Sequence, residues 1–207
     1  WTGAAAVIVG AVMAMLQNDL LRLLAYSSIS QMGIVALGVG LANPASMTGG
    51  IMHVANDALM KGALFIAVAA IAVQYNVRTV DRLWELRNRS PWLSAVFVVG
   101  GWSLVGLPPM CGFFGKWYVL KGALSDDRWG LAAALVIGSL ATAAYVARIL
   151  EQLFFARVPD ADAPPPRAGV RLTVAAGVVL AAGIVLLGLF SGRVIPAVIQ
   201  PALPMGL

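Results

Sequence analysis

Stretches of apolar residues, separated by short polar or Gly/Pro-containing segments, organise this 207-residue chain. A transmembrane helix needs roughly 20 predominantly apolar residues. Six stretches meet or approach that length, at about 2–16, 20–42, 50–75, 92–124, 129–155 and 170–190. Gln17, Asn18 and Asp19 break the first from the second, and Asn43-Pro44 reads as a stop after the second. The fourth stretch is interrupted at Gly106-Leu107-Pro108-Pro109. Two consecutive prolines remove two backbone donors and block the helix before them. Each half is short for a full crossing, so the pattern predicts one discontinuous helix with its break at Pro108 and Pro109. Broken backbone inside a bilayer is tolerated only where it is buried in protein or lines a wet cavity. Half-helix ends of this kind recur at ion sites in transporters. The expected fold is all-α, a polytopic transmembrane bundle of about six spans.

The connecting segments predict orientation. The segment 76–90 carries Arg78, Arg82, Arg87 and Arg89 against Asp81 and Glu85. With Leu83, Trp84 and Leu86 it reads as a short interfacial helix, and its positive excess places it on the cytoplasmic side. Arg157, Arg167 and Arg171 fall on the same side if 92–124 crosses once. The uncharged loop near Pro44 then lies outside. The run 161–166 reads as an extended, Pro-rich linker. Three prolines follow Gly192, which predicts an irregular tail. Gly, Ala and Ser recur within the spans and suit close helix packing.

Composition narrows the function class. Hydrophobic residues make up 60% and charged residues 11%, against about a quarter charged in a soluble domain. Mean hydropathy is +0.88. A soluble enzyme with a polar surface is excluded, and so is disorder. One Cys excludes an internal disulfide framework and a Cys-built metal site. One His and nine acids leave little for a metal cluster, so no metal is expected. The net charge of +5 sits mostly in short loops, with no basic stripe that would recruit nucleic acid. No phosphate loop, nucleophile elbow, haem motif or iron–sulfur spacing is present, so no cofactor is expected. The chain begins at Trp1, directly in an apolar run and without a basic leader, and is expected to be a piece of a longer membrane chain.

An ionisable residue inside a span is costly and is by default a candidate functional group. His53, Asp57 and Lys61 stand at i, i+4 and i+8 of the third stretch. On a helix they form a polar ladder of roughly 12 Å along one face, where opposite charges at i, i+4 can partly neutralise each other. A histidine titrates near neutral pH. The ladder is therefore either a proton relay or a satisfied polar packing seam, and three ionisable groups exceed what packing requires. Lys116 follows the Pro-Pro break near the middle of its stretch, where snorkelling to the interface is difficult. A lysine held away from water can exchange a proton. Lys121, nearer the helix end, suits snorkelling. Asp19 and Arg22 flank the start of the second stretch as a boundary pair, a helix cap or a proton entry. Arg148 and Glu151 read as a helix pair near the cytoplasmic surface. Ser27, Ser28, Ser30 and Gln31 can bond across helices, and Cys111 reads as a small packing residue.

The run Leu23 to Gly33 (LAYSSISQMG from Leu24 onward) resembles a signature of antiporter-like proton-conducting subunits. These occur in respiratory complex I, membrane-bound hydrogenases and Mrp-type cation/proton antiporters. HVANDALMKGALF, from His53 to Phe65, resembles the family's H-x-x-N-H-A-L-x-K-G-x-L-F. GLPPMCGFFGKWY, from Gly106 to Tyr118, resembles its G-x-P-P-x-x-G-F-x-x-K-x-Y/W. The resemblance covers nearly the whole chain. It implies the second five-helix inverted repeat of such a subunit over 1–156, a Pro-rich loop over 157–169, and a final transmembrane helix and tail over 170–207. It also implies that Lys116 is the lysine of the discontinuous helix, and that His53 and Lys61 belong to the central polar axis. Asp57 stands where the family usually has a second His, and Leu21 where it usually has a Lys. The ending Trp117-Tyr118, the Arg-rich 76–90 segment and the 145–155 run look closest to the D-type component of Mrp antiporters, with a complex I subunit or a hydrogenase component as the alternative. The implied partners are other integral membrane subunits, the lipid bilayer, protons and, for an antiporter, Na+ or K+. The implied location is a bacterial cytoplasmic membrane. Such a chain is an ion-transport subunit, and part of a redox-driven translocase only if it sits in a redox complex.

Overall fold

The computed structural model describes residues 1–86, 90–156, 171–199 and 201. The helices are α1 (Thr2–Met15), α2 (Leu20–Gly40), α3 (Pro44–Tyr75), α4 (Pro91–Val105), α5 (Cys111–Ser125), α6 (Trp129–Phe154), α7 (Arg171–Leu189) and the single turn α8 (Ser191–Val194). A 3-10 segment, Val80–Leu86, joins α3 to α4, and a π-helical turn, Ile195–Ile199, follows α8.

The observed elements follow the apolar stretches, with three differences. Helix α3 begins at Pro44 rather than near 50. Asn43 caps it, accepting from the Ser46 N–H at 2.8 Å, and Pro44 sits in the first turn, where its missing N–H costs nothing. Asn43-Pro44 is thus a helix start as well as a stop. The interfacial segment of 76–90 is a 3-10 helix whose Leu83 and Leu86 are fully buried. The expected irregular tail is helical as far as Ile199. Arg87, Arg89, Arg157, Arg167 and the Pro-rich 157–169 segment lie outside the described residues.

Helices α2, α3, α6 and residues Leu172–Leu189 of α7 are long and apolar enough to cross a membrane. Helices α4 and α5, 15 residues each, reach only about 22 Å apiece, short of the roughly 30 Å hydrocarbon core. Their placement makes them one crossing. Helix α4 starts beside the 3-10 segment, at the end of the bundle where α3 finishes. The end of α5 meets the start of α3: the Asn43 amide donates to Gly122 O at 2.9 Å and to Asp126 at 2.8 Å. The chain therefore passes from one end of the bundle to the other between Pro91 and Ser125, pausing at the proline break.

Most of the buried hydrophobic residues belong to one cluster that joins α2, α3, the 3-10 segment, α4, α6 and α7, with Phe97, Met60, Ile71 and Leu83 among its fully enclosed members. Arg148 on α6 staples the loop end of the bundle. Its guanidinium donates to Gln17 O and to Asn18 Oδ1, both at 3.1 Å, and pairs with Asp81 at 3.4 Å. It serves the α1–α2 loop, where the sequence suggested a partner in Glu151.

Candidate functional site

The break explains the position of Lys116. In an α-helix each carbonyl accepts from the N–H four residues on. The carbonyls of Leu104 and Val105 would need donors at 108 and 109, and both residues are proline. The two orphaned carbonyls turn to Lys116, whose Nζ donates to Leu104 O at 2.6 Å and to Val105 O at 3.1 Å. Gly106 closes α4 in the left-handed region (φ 88°). Beyond the break, the Gly112 N–H donates to Ser103 Oγ at 3.1 Å, and the Asn56 amide of α3 donates to Cys111 O at 2.8 Å. Buried Cys111 also lies 3.5 Å from Ser103 Oγ. The broken segment is thus pinned to α3 through Cys111 O and tied across the bend through Ser103.

His53, Asp57 and Lys61 share one buried face of α3. The His53 Nε2 lies 2.9 Å from Gln31 Oε1 on α2. With the amide assigned this way round, the oxygen can only accept, so Nε2 carries the proton. The Nδ1 atom has no partner among the described residues and faces α5: a Cβ placed on Gly115 would stand 2.7 Å from it. The imidazole therefore lies against the backbone immediately before Lys116, and only glycine fits there. Lys61 donates to Leu24 O at 3.2 Å and, in a very close contact, to Ser27 Oγ. Asp57 is 6% exposed and its Oδ1 is unpartnered. It lies within electrostatic reach of both Lys61 and Lys116, yet among the described residues it forms no ion pair within 4 Å. The direct i, i+4 pairing with Lys61 suggested by the spacing is absent, because α2 offers the lysine two oxygens.

The polar residues of α2 divide as their spacing allows. Ser27 and Gln31, four apart and on one face, serve Lys61 and His53. Ser30 donates to Val7 O on α1 at 2.8 Å, and Ser28 to Leu24 O of its own helix at 3.0 Å. Asp19 and Arg22 do not join this axis. The Asp19 carboxylate caps α2 by accepting from the Arg22 N–H at 2.9 Å, the cap reading of the pair. Leu21, where the resemblance implies a lysine, is 49% exposed and lies away from the face carrying Ser27 and Gln31.

Two participants escape a reading of the sequence. Asn56 binds the break, although its motif position is visible. Tyr145 on α6 is fully buried, with its hydroxyl close to the side chains of Ser27, Gln31 and Thr142 and within electrostatic reach of Asp57. It meets none of them at full hydrogen-bond geometry. Its one sequence signal is a hydroxyl in an otherwise apolar span. Gln31 Nε2, His53 Nδ1, Asn56 Oδ1, Asp57 Oδ1 and Tyr145 Oη all present hydrogen-bonding capacity that no group among the described residues takes up. Such a cluster suits water-mediated bonding.

A bundle of long apolar helices, with one helix broken at its centre and a line of buried ionisable residues beside the break, defines an integral membrane protein. Residues 1–142 match the family described as NADH:quinone oxidoreductase/Mrp antiporter, transmembrane region, and the chain belongs to that family. It is 38% identical over 215 residues to NADH-quinone oxidoreductase subunit N of Desulforudis audaxviator, covering 99% of this chain and 43% of the relative. It is 28% identical over 202 residues to the D component of the Na(+)/H(+) antiporter of Bacillus subtilis, covering 98% of this chain and 41% of the relative. The fold matches a chain of respiratory complex I from Thermus thermophilus with a TM-score of 0.85 at 26% identity, covering 96% of this chain and 41% of that one. The chain thus spans less than half the length of the curated relatives it matches.

Proposed function

We propose that this chain is the proton-conducting repeat of an antiporter-like membrane subunit, with His53, Asp57, Lys61 and Lys116 as its relay. Residues 1–156 form the repeat and 170–207 the final span and tail. The observation that carries this reading is Lys116 bound to Leu104 O and Val105 O at the break. A buried ammonium stripped of water is costly, and here the two prolines free two acceptors to hold it. His53 Nδ1 and Asp57 Oδ1, both open, lie along the route toward Lys61. Protons would step between these groups through intervening water, driven by events elsewhere in a multisubunit complex.

The motifs closest to the D-type component of Mrp antiporters support exchange of protons against Na+ or K+ in a bacterial cytoplasmic membrane. The higher identity to the oxidoreductase relative, 38% against 28% for the antiporter relative, favours a second reading, in which the same relay belongs to a redox-driven translocase. Co-purification decides between them: flavin- and iron–sulfur-bearing partners select the redox complex, and small hydrophobic partners alone select the antiporter. The Arg-rich 76–90 segment would face the cytoplasm; labelling of Arg78→Cys by an impermeant thiol reagent from outside intact cells would show the reverse.

Lys116→Ala in the full-length protein tests the relay. The expected outcome is an assembled complex with proton-coupled transport in membrane vesicles abolished. An assembled variant with near-native transport sinks the reading.

A further inference from the structure

On the polar face of α2, two stations of the axis have separate partners. Lys61 is held by Ser27 and His53 by Gln31. Along α3 these stations are eight residues apart, roughly 12 Å, too far for direct contact. Ser27 and Gln31 are one helical turn apart, and the Tyr145 hydroxyl of α6 lies close to Thr142 of its own helix and to both of them, without completing a hydrogen bond to any of the three; the Thr142 hydroxyl is already committed to Gly138 O at 2.8 Å. Tyr145 is 0% exposed, and a buried phenol hydroxyl ordinarily has a defined partner.

The donors and acceptors around it are complementary. The Ser27 hydroxyl gives its proton to Leu24 O at 2.7 Å, so toward Lys61 and Tyr145 its oxygen can only accept. Gln31 commits its Oε1 to His53, and its Nε2 has no partner among the described residues. A phenol between them can donate to Ser27 Oγ and accept from Gln31 Nε2, using one donor and one lone pair.

We propose that Tyr145 is a positioning residue that couples the Lys61 and His53 stations through Ser27 and Gln31. By holding the Gln31 amide with its oxygen toward His53, it keeps the imidazole proton on Nε2 and leaves Nδ1 open toward α5 and Lys116. When Lys61 changes its hold on Ser27, the Tyr145 hydroxyl is the group that senses it and passes the change to the Gln31 amide. Tyr145 itself need not lose its proton. The proposal rests on the relay reading above.

The test is Tyr145→Phe in the full-length protein within its complex, with Lys116→Ala as reference and assembly measured separately. Phe keeps the ring in its packed site and removes only the hydroxyl. The expected result is normal assembly, a loss of about tenfold in transport rate, the scale of one lost hydrogen bond to a charged network, and a displaced pH profile for the residual rate. Ser27→Ala combined with Tyr145→Phe should be no slower than the slower single variant, since both cut one link. A Phe variant with native rate and pH profile beside an inactive Lys116→Ala overturns the role of Tyr145 and leaves the relay standing. Additive losses in the double variant also overturn it. Native transport by Lys116→Ala instead overturns the relay itself.

Discussion

Lys61 and Lys116 are both buried in the middle of the bundle, and the chain satisfies them in different ways. Lys61 leans on α2, an unbroken helix. Its carbonyl partner, Leu24 O, also accepts from the hydroxyls of Ser27 and Ser28 at 2.7 and 3.0 Å. The lysine therefore shares an acceptor already engaged in side-chain bonding and depends on the Ser27 hydroxyl. Lys116 takes two carbonyls whose helical donors the prolines have deleted. An unbroken helix offers a cation only leftover acceptor capacity, whereas a break offers whole carbonyls. The difference is written in the chain itself, since Pro108 and Pro109 stand four residues after Leu104 and Val105.

The strongest way to break this comparison is to give the donors back. Pro108→Ala with Pro109→Ala supplies two N–H groups that can close the helix onto Leu104 O and Val105 O. Lys116 would then lose its acceptors, and a buried charge without partners costs several kcal/mol. Transport in vesicles should fall by more than tenfold, on a scale of about 1.4 kcal/mol per factor of ten. An equivalent Ser27→Ala change should hurt less, because Lys61 keeps Leu24 O. Equal losses at the two sites would erase the distinction.

A smaller effect should come from Asp57, which lies within reach of both lysines and pairs directly with neither. Asp57→Asn keeps size and hydrogen bonding but cannot exchange a proton, and should reduce transport by about tenfold. Asp57→His, which can accept and release a proton, should retain most of the activity. The readout is the transport rate of both variants at equal membrane abundance. A packing seam predicts the opposite order, with Asn harmless and the bulkier His disruptive.

The spans were legible because membrane helices are written in long apolar runs, and the break because two prolines cannot continue a helix. Lys116, His53, Asp57 and Lys61 were legible as ionisable residues inside such runs. Their partners were not. The period of a helix shows that Asp57 and Lys61 share a face, but not that Ser27 and Leu24 on a neighbouring helix outcompete Asp57 for the ammonium. Tyr145 stayed hidden because one hydroxyl in an apolar helix gives no direction, and only the packing of α6 against α2 brings it to Ser27 and Gln31. Asn43-Pro44 misled because Asn followed by Pro both ends one helix and opens the next, and the α2–α3 turn uses both properties.

In the proposed relay, Lys116 gives up and regains a proton at the break. Lys116→Arg tests it most directly. Arginine keeps the positive charge and can donate to Leu104 O and Val105 O, but it does not deprotonate in proteins. The measurement is proton-coupled transport in vesicles carrying the assembled Lys116→Arg complex at native abundance. Full assembly is expected, with transport reduced to the level of Lys116→Ala. Transport near the native rate would show that a fixed charge at the break suffices, and would contradict proton exchange at Lys116.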